Sequence, residues 1–237
     1  MKIESLLVDE ALALRFIEKM VPKLERDEVL ITMLAARKKY APVLSRNHEV
    51  VAREIIRDCA AEQVLHKLRK ISVVGHYLDA GNVIPTNAFA LYIDLNPKSV
   101  IRAVAPFFKE VNALLYQAMV TGKPDYDTIK RIDMKLFSCI HKSNATRPPY
   151  WDLDIDRKDY SLLEEAVAYV GKENVSWIIE SHGGFHIIVP RTETVGKRIF
   201  KCGLPPGIKT QVSVEKEVAV PVPGTLQGGF KVKETIL

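Results

Sequence analysis

Tyr150-Trp151-Asp152-Leu153-Asp154-Ile155-Asp156 carries a carboxylate at every second residue. In an extended strand that period puts the three aspartates on one face and Trp151, Leu153 and Ile155 on the other. Carboxylates crowded on one face repel unless something positive sits among them, and hard oxygen donors of this kind suit Mg²⁺ or Mn²⁺. The competing reading is a solvated edge-strand face. The apolar residues opposite favour a central strand, where unpartnered acids are rare. A second segment, Ser181-His182-Gly183-Gly184-Phe185-His186-Ile187-Ile188-Val189, joins two apolar runs through glycines that let backbone approach a ligand closely. On a strand beginning at Gly184, His186 shares a face with Ile188. Its imidazole can donate to a phosphate oxygen, and Ser181 with the N–H groups of the turn can add donors. A plain hairpin with one half-exposed histidine is the alternative. His182, with no strand face to fix it, ranks below His186.

Two further stretches lie toward the C-terminus. In Gln211-Val212-Ser213-Val214-Glu215 polar residues again alternate with valines, so Glu215 faces away from the core and could complete a metal site. Pro223-Gly224-Thr225-Leu226-Gln227-Gly228-Gly229-Phe230 is rich in turn residues whose glycines permit close approach to phosphates, with Lys231 and Lys233 as counter-charges. Taken alone, such a stretch is more often just a loop.

These segments need elements to hold them. Leu12, Phe16 and Met20, then Val29, Thr32, Met33 and Ala36, recur at helical spacing, and His48 to Ile71 continues it through Val51, Ile55, Cys59, Val64 and Leu68. The pattern predicts three or four helices before Gly75. Phe89–Leu95 reads as a buried strand stopped by Asn96 and Pro97, and a helix is expected from Ser99 until Gly122, Pro124 and Asp125 break it. Another helical stretch holds Ile129, Ile132, Leu136 and Phe137. Beyond Pro149 short apolar runs alternate with turns and helices, as in an α/β or α+β core.

The bulk properties set outer limits. The 237 residues, 47% hydrophobic and 27% charged, suit a globular protein of one large domain or a compact domain with a helical extension. No run approaches the roughly 20 apolar residues of a membrane span. Glu4, Asp9 and Glu10 interrupt the first segment, which does not read as a signal peptide, and three scattered cysteines argue against a disulfide framework. A cytoplasmic location is the expectation. The net charge of +5 is compatible with a polyanionic partner but does not identify one.

In this order and spacing, Asp152-Leu153-Asp154, Ser181 with His186, and Pro223-Gly224-Thr225-Leu226 with Gly228 resemble the three motifs of the archaeo-eukaryotic primase superfamily. The likeness is greatest to its primase small-subunit and primase-polymerase branches. It covers Tyr150 to Lys233, and Ala90–Lys98 is similar to the strand ending in Asn-Pro that many relatives carry ahead of the first motif. Asp94 on that strand is read as structural or as lining a template groove.

The resemblance implies an α+β fold, with a primase-type core of mixed sheets, flanking helices and an RRM-like unit over residues 83–237. A helical region, residues 1–82, would precede the core and pack on it. It implies template-directed nucleotide polymerisation on single-stranded DNA from NTPs or dNTPs, with Mg²⁺ or Mn²⁺ held by Asp152, Asp154 and Glu215. Nucleotide contacts would come from Ser181, His186, Gly183, Gly184, Thr225, Gln227 and Lys231. Arg37, Lys38, Lys39, Lys142 and Arg147 are the basic residues expected along a template groove, and a primase large subunit or a helicase is the candidate protein partner. Gln227 and Gly229 stand where the family often has histidine and lysine, and Glu215 where it usually has aspartate. Cys139 and His141 lack the paired spacing of a structural zinc site, so none is expected. A degenerate primase fold that only binds, or a repair-type polymerase, are the alternative functions.

Overall fold

A computed structural model describes residues 4–75, 77–79, 81–145 and 147–237. The first third contains two long helices, α1 (Glu10–Met20) and α2 (Ala61–Ser72), and between them two strands, β1 (Glu28–Arg37) and β2 (His48–Ile56). The three or four helices expected from periodicity are therefore corrected to two helices and a hairpin. The cause lies in how β1 is buried. Leu30, Leu34 and Ala36 face one core while Val29, Ile31 and Met33 face another, so the strand is apolar on both sides and loses the period of two. Val29, Thr32, Met33 and Ala36 then match a helical spacing by coincidence. Between His48 and Ile71 the β-branched residues Val50, Val51, Ile55 and Ile56 favour a strand. Asp58 accepts from the N–H of Ala60 at 2.9 Å and breaks the run before α2 begins.

Downstream, β3 (Phe89–Ser99) continues straight through Asn96-Pro97, and α3 (Val100–Thr121) starts where the Ser99 hydroxyl accepts from the N–H of Arg102. It ends at Gly122, whose φ of 62° is the left-handed C-cap. There follow α4 (Tyr126–Ile129), α5 (Ile132–Lys142), β4 (Tyr150–Ile155), α6 (Tyr160–Val170), β5 (Trp177–Glu180), β6 (Phe185–Pro190) and α7 (Glu193–Gly196). Three later strands enter the two main sheets, β7 (Val212–Glu215), β8 (Ala219–Pro221) and β9 (Lys233–Glu234).

The fold is a mixed α+β arrangement built on two antiparallel sheets. One has the order β8-β3-β1-β2, the other β7-β4-β6-β5-β9. All pairings among the described strands are antiparallel, where the resemblance implies mixed sheets. The first sheet unites β1 and β2 with β3 and β8, so the expected boundary at 82/83 cuts through one sheet and is not a domain boundary. Helices α1 and α2 cover one face of this sheet, and α3 with α5 cover the other. The second sheet packs Leu153, Ile155, Phe185, Ile187 and Val189 against α6. At one end of its opposite face, Trp177, Ile179 and Ile188 join the core of the first sheet. At the other end of that face stand the acids.

Asn96 ties the sheets together. Its amide donates to the carbonyls of Tyr150 (3.2 Å) and Lys216 (2.9 Å) and accepts from the N–H of Tyr150. Arg191 donates to the same two carbonyls. The beginning of β4 and the exit from β7, the two acid-bearing strands, are thus fixed to β3. Asp94 is fully buried, with its Oδ2 2.8 Å from the Nζ of the equally buried Lys98, whose ammonium also donates to Asn144. It is a structural acid, as one of its two sequence readings has it.

Candidate active site

Strand register decides which side chains meet. β4 pairs with β6 so that His186 lies opposite Asp154, and with β7 so that Ser213 lies opposite Asp154 and Glu215 opposite Asp152. Because all these residues point to one face, two adjacent rows across three strands gather two aspartates, a histidine, a serine and a glutamate. His186 Nδ1 lies 2.9 Å from Asp152 Oδ2 and 3.5 Å from Asp154 Oδ1. Asp152 is 3% exposed, and its Oδ1 is buried with no protein partner. Glu215 is exposed, and its Oε1 accepts from the Ser213 hydroxyl at 2.9 Å.

The electrostatics follow from this crowding. Burial and, after the opposing pull of His186, the negative charges of Asp152, Asp156 and Glu215 push the Asp154 carboxyl up to about 6. Burial alone would lower the imidazole of His186, but Asp152 and Asp154 override it and raise it to about 9. At neutral pH a protonated His186 is therefore the positive charge among the acids. Among the described residues no set of three or more His, Cys, Asp or Glu side chains forms a ready metal cage. The acids fit a cation on other grounds: a buried carboxylate oxygen without a partner, and a second carboxyl that burial and its acidic neighbours keep from ionising.

Beside the acids lies the β5–β6 turn. Ser181 Oγ accepts from the N–H groups of Gly183 (3.3 Å) and Gly184 (3.2 Å), and the N–H of His182 donates to Gln227 Oε1 at 2.8 Å. These groups, expected to face a phosphate, are occupied in shaping the turn. Gly184 is needed for packing: a Cβ there would overlap the carbonyl oxygen of Ile155 on the neighbouring strand. Gln227 passes the chain of contacts on, donating to the hydroxyl of Tyr92, which also accepts from Arg37 Nη1 at 2.9 Å. The His182 ring is packed edge-on against Tyr40 and Phe230.

The β1–β2 hairpin delivers a cation to the same place. Lys39 Nζ stands 3.2 Å from where a Cβ on Gly183 would sit. Burial and Arg37 lower its ammonium, while Asp156 and Asp154 act in the opposite sense, so Lys39 lies within electrostatic reach of the acids. Lys158 sits 3.5 Å above the ring of Phe230 and pairs with Glu180 at 3.0 Å. A cleft of about 410 Å³ opens on the other side of Asp154, lined by Asp156, Arg157, Lys209, Gln211 and Ser213 among others. A second cleft, about 440 Å³ between β2 and α5, shares none of these residues.

Of the residues singled out in the sequence, Asp152, Asp154, His186 and Glu215 converge, and Ser181, Gly183, Gly184, Gln227, Arg37 and Lys39 adjoin them. Thr225 does not: it is fully buried, its hydroxyl donating to the carbonyl of Val222. Position 224 requires glycine, both for its φ of 85° and because a Cβ would overlap the carbonyl of Asp9, and its own carbonyl accepts from the N–H groups of Val8 and Asp9, so Pro223-Gly224 seats the start of α1. Lys231 is paired with Asp9 at 2.8 Å. Lys38 acts on Asp79, Lys142 lines a cleft with Arg102 and Glu110, and Arg147 is exposed in the loop before β4. Tyr40, Lys158 and Glu180 were not singled out by the sequence reading, and His182 was ranked low. The run Arg37-Lys38-Lys39-Tyr40 reads in the sequence only as basic and aromatic, and it is the observed hairpin tip that carries it across to the other sheet.

No family model matches this chain, and neither a curated protein nor a solved structure does.

Proposed function

We propose that this protein is a divalent-metal-dependent nucleotidyltransferase of the archaeo-eukaryotic primase type, extending a chain on single-stranded DNA from NTPs or dNTPs. The observation that carries the reading is the convergence on one sheet face of Asp152, Asp154 and Glu215 around an imidazolium, with Lys39 close by. Asp152, Asp154 and Glu215 would hold Mg²⁺ or Mn²⁺, which when bound supplies Lewis-acid stabilisation of the transferring phosphoryl group and activation of the attacking hydroxyl.

The chain's own residues do the rest. Asn96 and Arg191 hold the two acid-bearing strands in place. His186 engages the acids through Nδ1, where its charge holds the carboxylates together, and while protonated it keeps Nε2–H for a phosphate oxygen. Lys39 and Arg37 supply the counter-charge that Lys231, tied to Asp9, does not. Arg157 and Lys209 flank the cleft beside Asp154 and are placed to steer a polyanion.

One observation favours a second reading, a primase fold that binds nucleotide or nucleic acid without polymerising. The hydroxyl of Ser181 and the N–H groups of residues 182–184 are all engaged within the protein, so that turn offers no free donors to a triphosphate. Incorporation of labelled nucleotide on a single-stranded template, with and without primer and with Mg²⁺ or Mn²⁺, separates the two. The nucleotidyltransferase reading expects product that disappears in Asp152→Ala/Asp154→Ala. Template binding with no product under any condition leaves the binding protein. Product that requires a primer identifies a repair-type polymerase, and product without one a primase.

A further inference from the structure

The longest helix of the fold, α3, packs on α5 and the first sheet through Val100, Ala103 and Phe107, and Glu110 pairs with Lys135 across the same seam. Its outer side is apolar as well. At 100° per residue, Ile101, Val104, Phe108, Leu115, Tyr116 and Met119 fall within a stripe about 120° wide running the whole helix. All six are exposed, Ile101 at 71% and Met119 at 83%. The one polar residue inside the stripe is Asn112, exposed and close to its centre line. A 22-residue helix is about 33 Å long and about 10 Å across, so the stripe spans roughly 330 Å², the size of a monomer's largest functional patch.

We infer that this stripe is the interface of a homodimer in which α3 pairs antiparallel with α3 of a second copy about a two-fold axis at Asn112. Three features of the helix select its own copy. The first is the carboxamide. On the axis Asn112 meets the same residue of the partner, and each side chain can donate its N–H to the other's oxygen, a reciprocal pair that only a two-fold supplies. A single polar residue in an apolar seam fixes register in this way. The second is shape. Pairing about Asn112 sets Phe108 against the partner's Tyr116 and Leu115 beside the partner's Phe108, and it lays the long side chain of Met119 over the partner's Ala105. The third is charge. α3 has no acid in its first turn and no base in its last, so apart from the Asp27 carboxylate that meets the Ser99 cap its dipole is uncompensated within the helix. Antiparallel pairing brings each positive end beside the partner's negative end. The limited area places the dimer in the weak class below about 1,200 Å² of total buried surface. The site described above lies on the second sheet and is untouched by this contact.

Sedimentation equilibrium from about 1 to about 100 µM, the range suited to a weak interface, tests the inference. The wild-type mass is expected to rise from 26.7 kDa toward twice that value, and Phe108→Glu/Leu115→Glu to stay at 26.7 kDa with an unchanged circular dichroism spectrum. Both substituted side chains are exposed, so folding does not depend on them. In a Cys202→Ser background, Asn112→Cys alone should form a covalent dimer under mild oxidation, because the two copies of that residue meet on the axis. Met119→Cys alone should not, since its two copies lie two turns to either side. A wild type monomeric throughout overturns the proposal and leaves the stripe to a different protein. A dimer indifferent to the glutamates, or one cross-linked as readily through Met119→Cys, overturns it as well.

Discussion

Two strands of this protein, β3 and β4, each bury an aspartate, and the counter-charges around them differ. On β3, Asp94 has its cation built into the same strand, with Lys98 four residues on and its ammonium 2.8 Å away. On β4, the buried Asp152 and the half-buried Asp154 meet the imidazole of His186, with Lys39 acting from further off, and one oxygen of Asp152 has no protein partner. A carboxylate whose counter-charge is supplied by the chain is finished as structure. One whose counter-charge is a proton on histidine can exchange it for something else.

The largest effect should come from breaking the finished pair. Asp94→Ala leaves a buried ammonium unpaired and should cost about 3–5 kcal/mol in urea unfolding, whereas Asp154→Asn removes a disfavoured charge. The latter should leave stability at pH 8 unchanged or raise it by about 1 kcal/mol. Equal losses in both would erase the distinction.

Next in size is the contact between strands that sets the acid rows. Gly184→Ala places a methyl group where the carbonyl of Ile155 lies and should cost about 3 kcal/mol. Thermal melts alongside Gly207→Ala, where the space is open, provide the control.

A smaller effect sharpens the contrast through pH. In the metal-free protein His186 has a folded pKa raised from 6.5 to about 9, so its contribution is fully present below 6.5 and is lost as pH rises through 9. Asp154, raised from 3.8 to about 6, also binds its proton more tightly when folded, and its contribution fades as pH climbs through 6. The stability that these two groups contribute in a chelator should therefore decline between about pH 3.8 and 6 through Asp154 and between 6.5 and 9 through His186, and His186→Gln should flatten the second segment. An unaltered profile in that variant would separate the histidine from the acids.

The sequence exposed the acid rows because β4 is buried on one face and half-open on the other, so its period of two survives in Asp152-Leu153-Asp154. The first sheet was opaque for the opposite reason. Val29 to Ala36 is covered on both sides and shows no alternation, and a helical spacing fitted it as well. The hairpin contribution of Lys39 and Tyr40 is a matter of tertiary placement, since nothing local says that residue 39 will meet residue 183. Thr225 and Lys231 show the limit of motif reading: their loop lies where the order of segments suggests, but its hydroxyl and ammonium are turned to Val222 and Asp9.

We propose that Asp152, Asp154 and Glu215 bind a divalent cation. Titration of the metal-free protein with Mn²⁺, followed by electron paramagnetic resonance of the free ion, tests it without reference to any substrate. Saturable binding by the wild type, lost in Asp154→Asn while the fold persists, is the predicted result. No uptake by the wild type, or identical uptake by the variant, would contradict it.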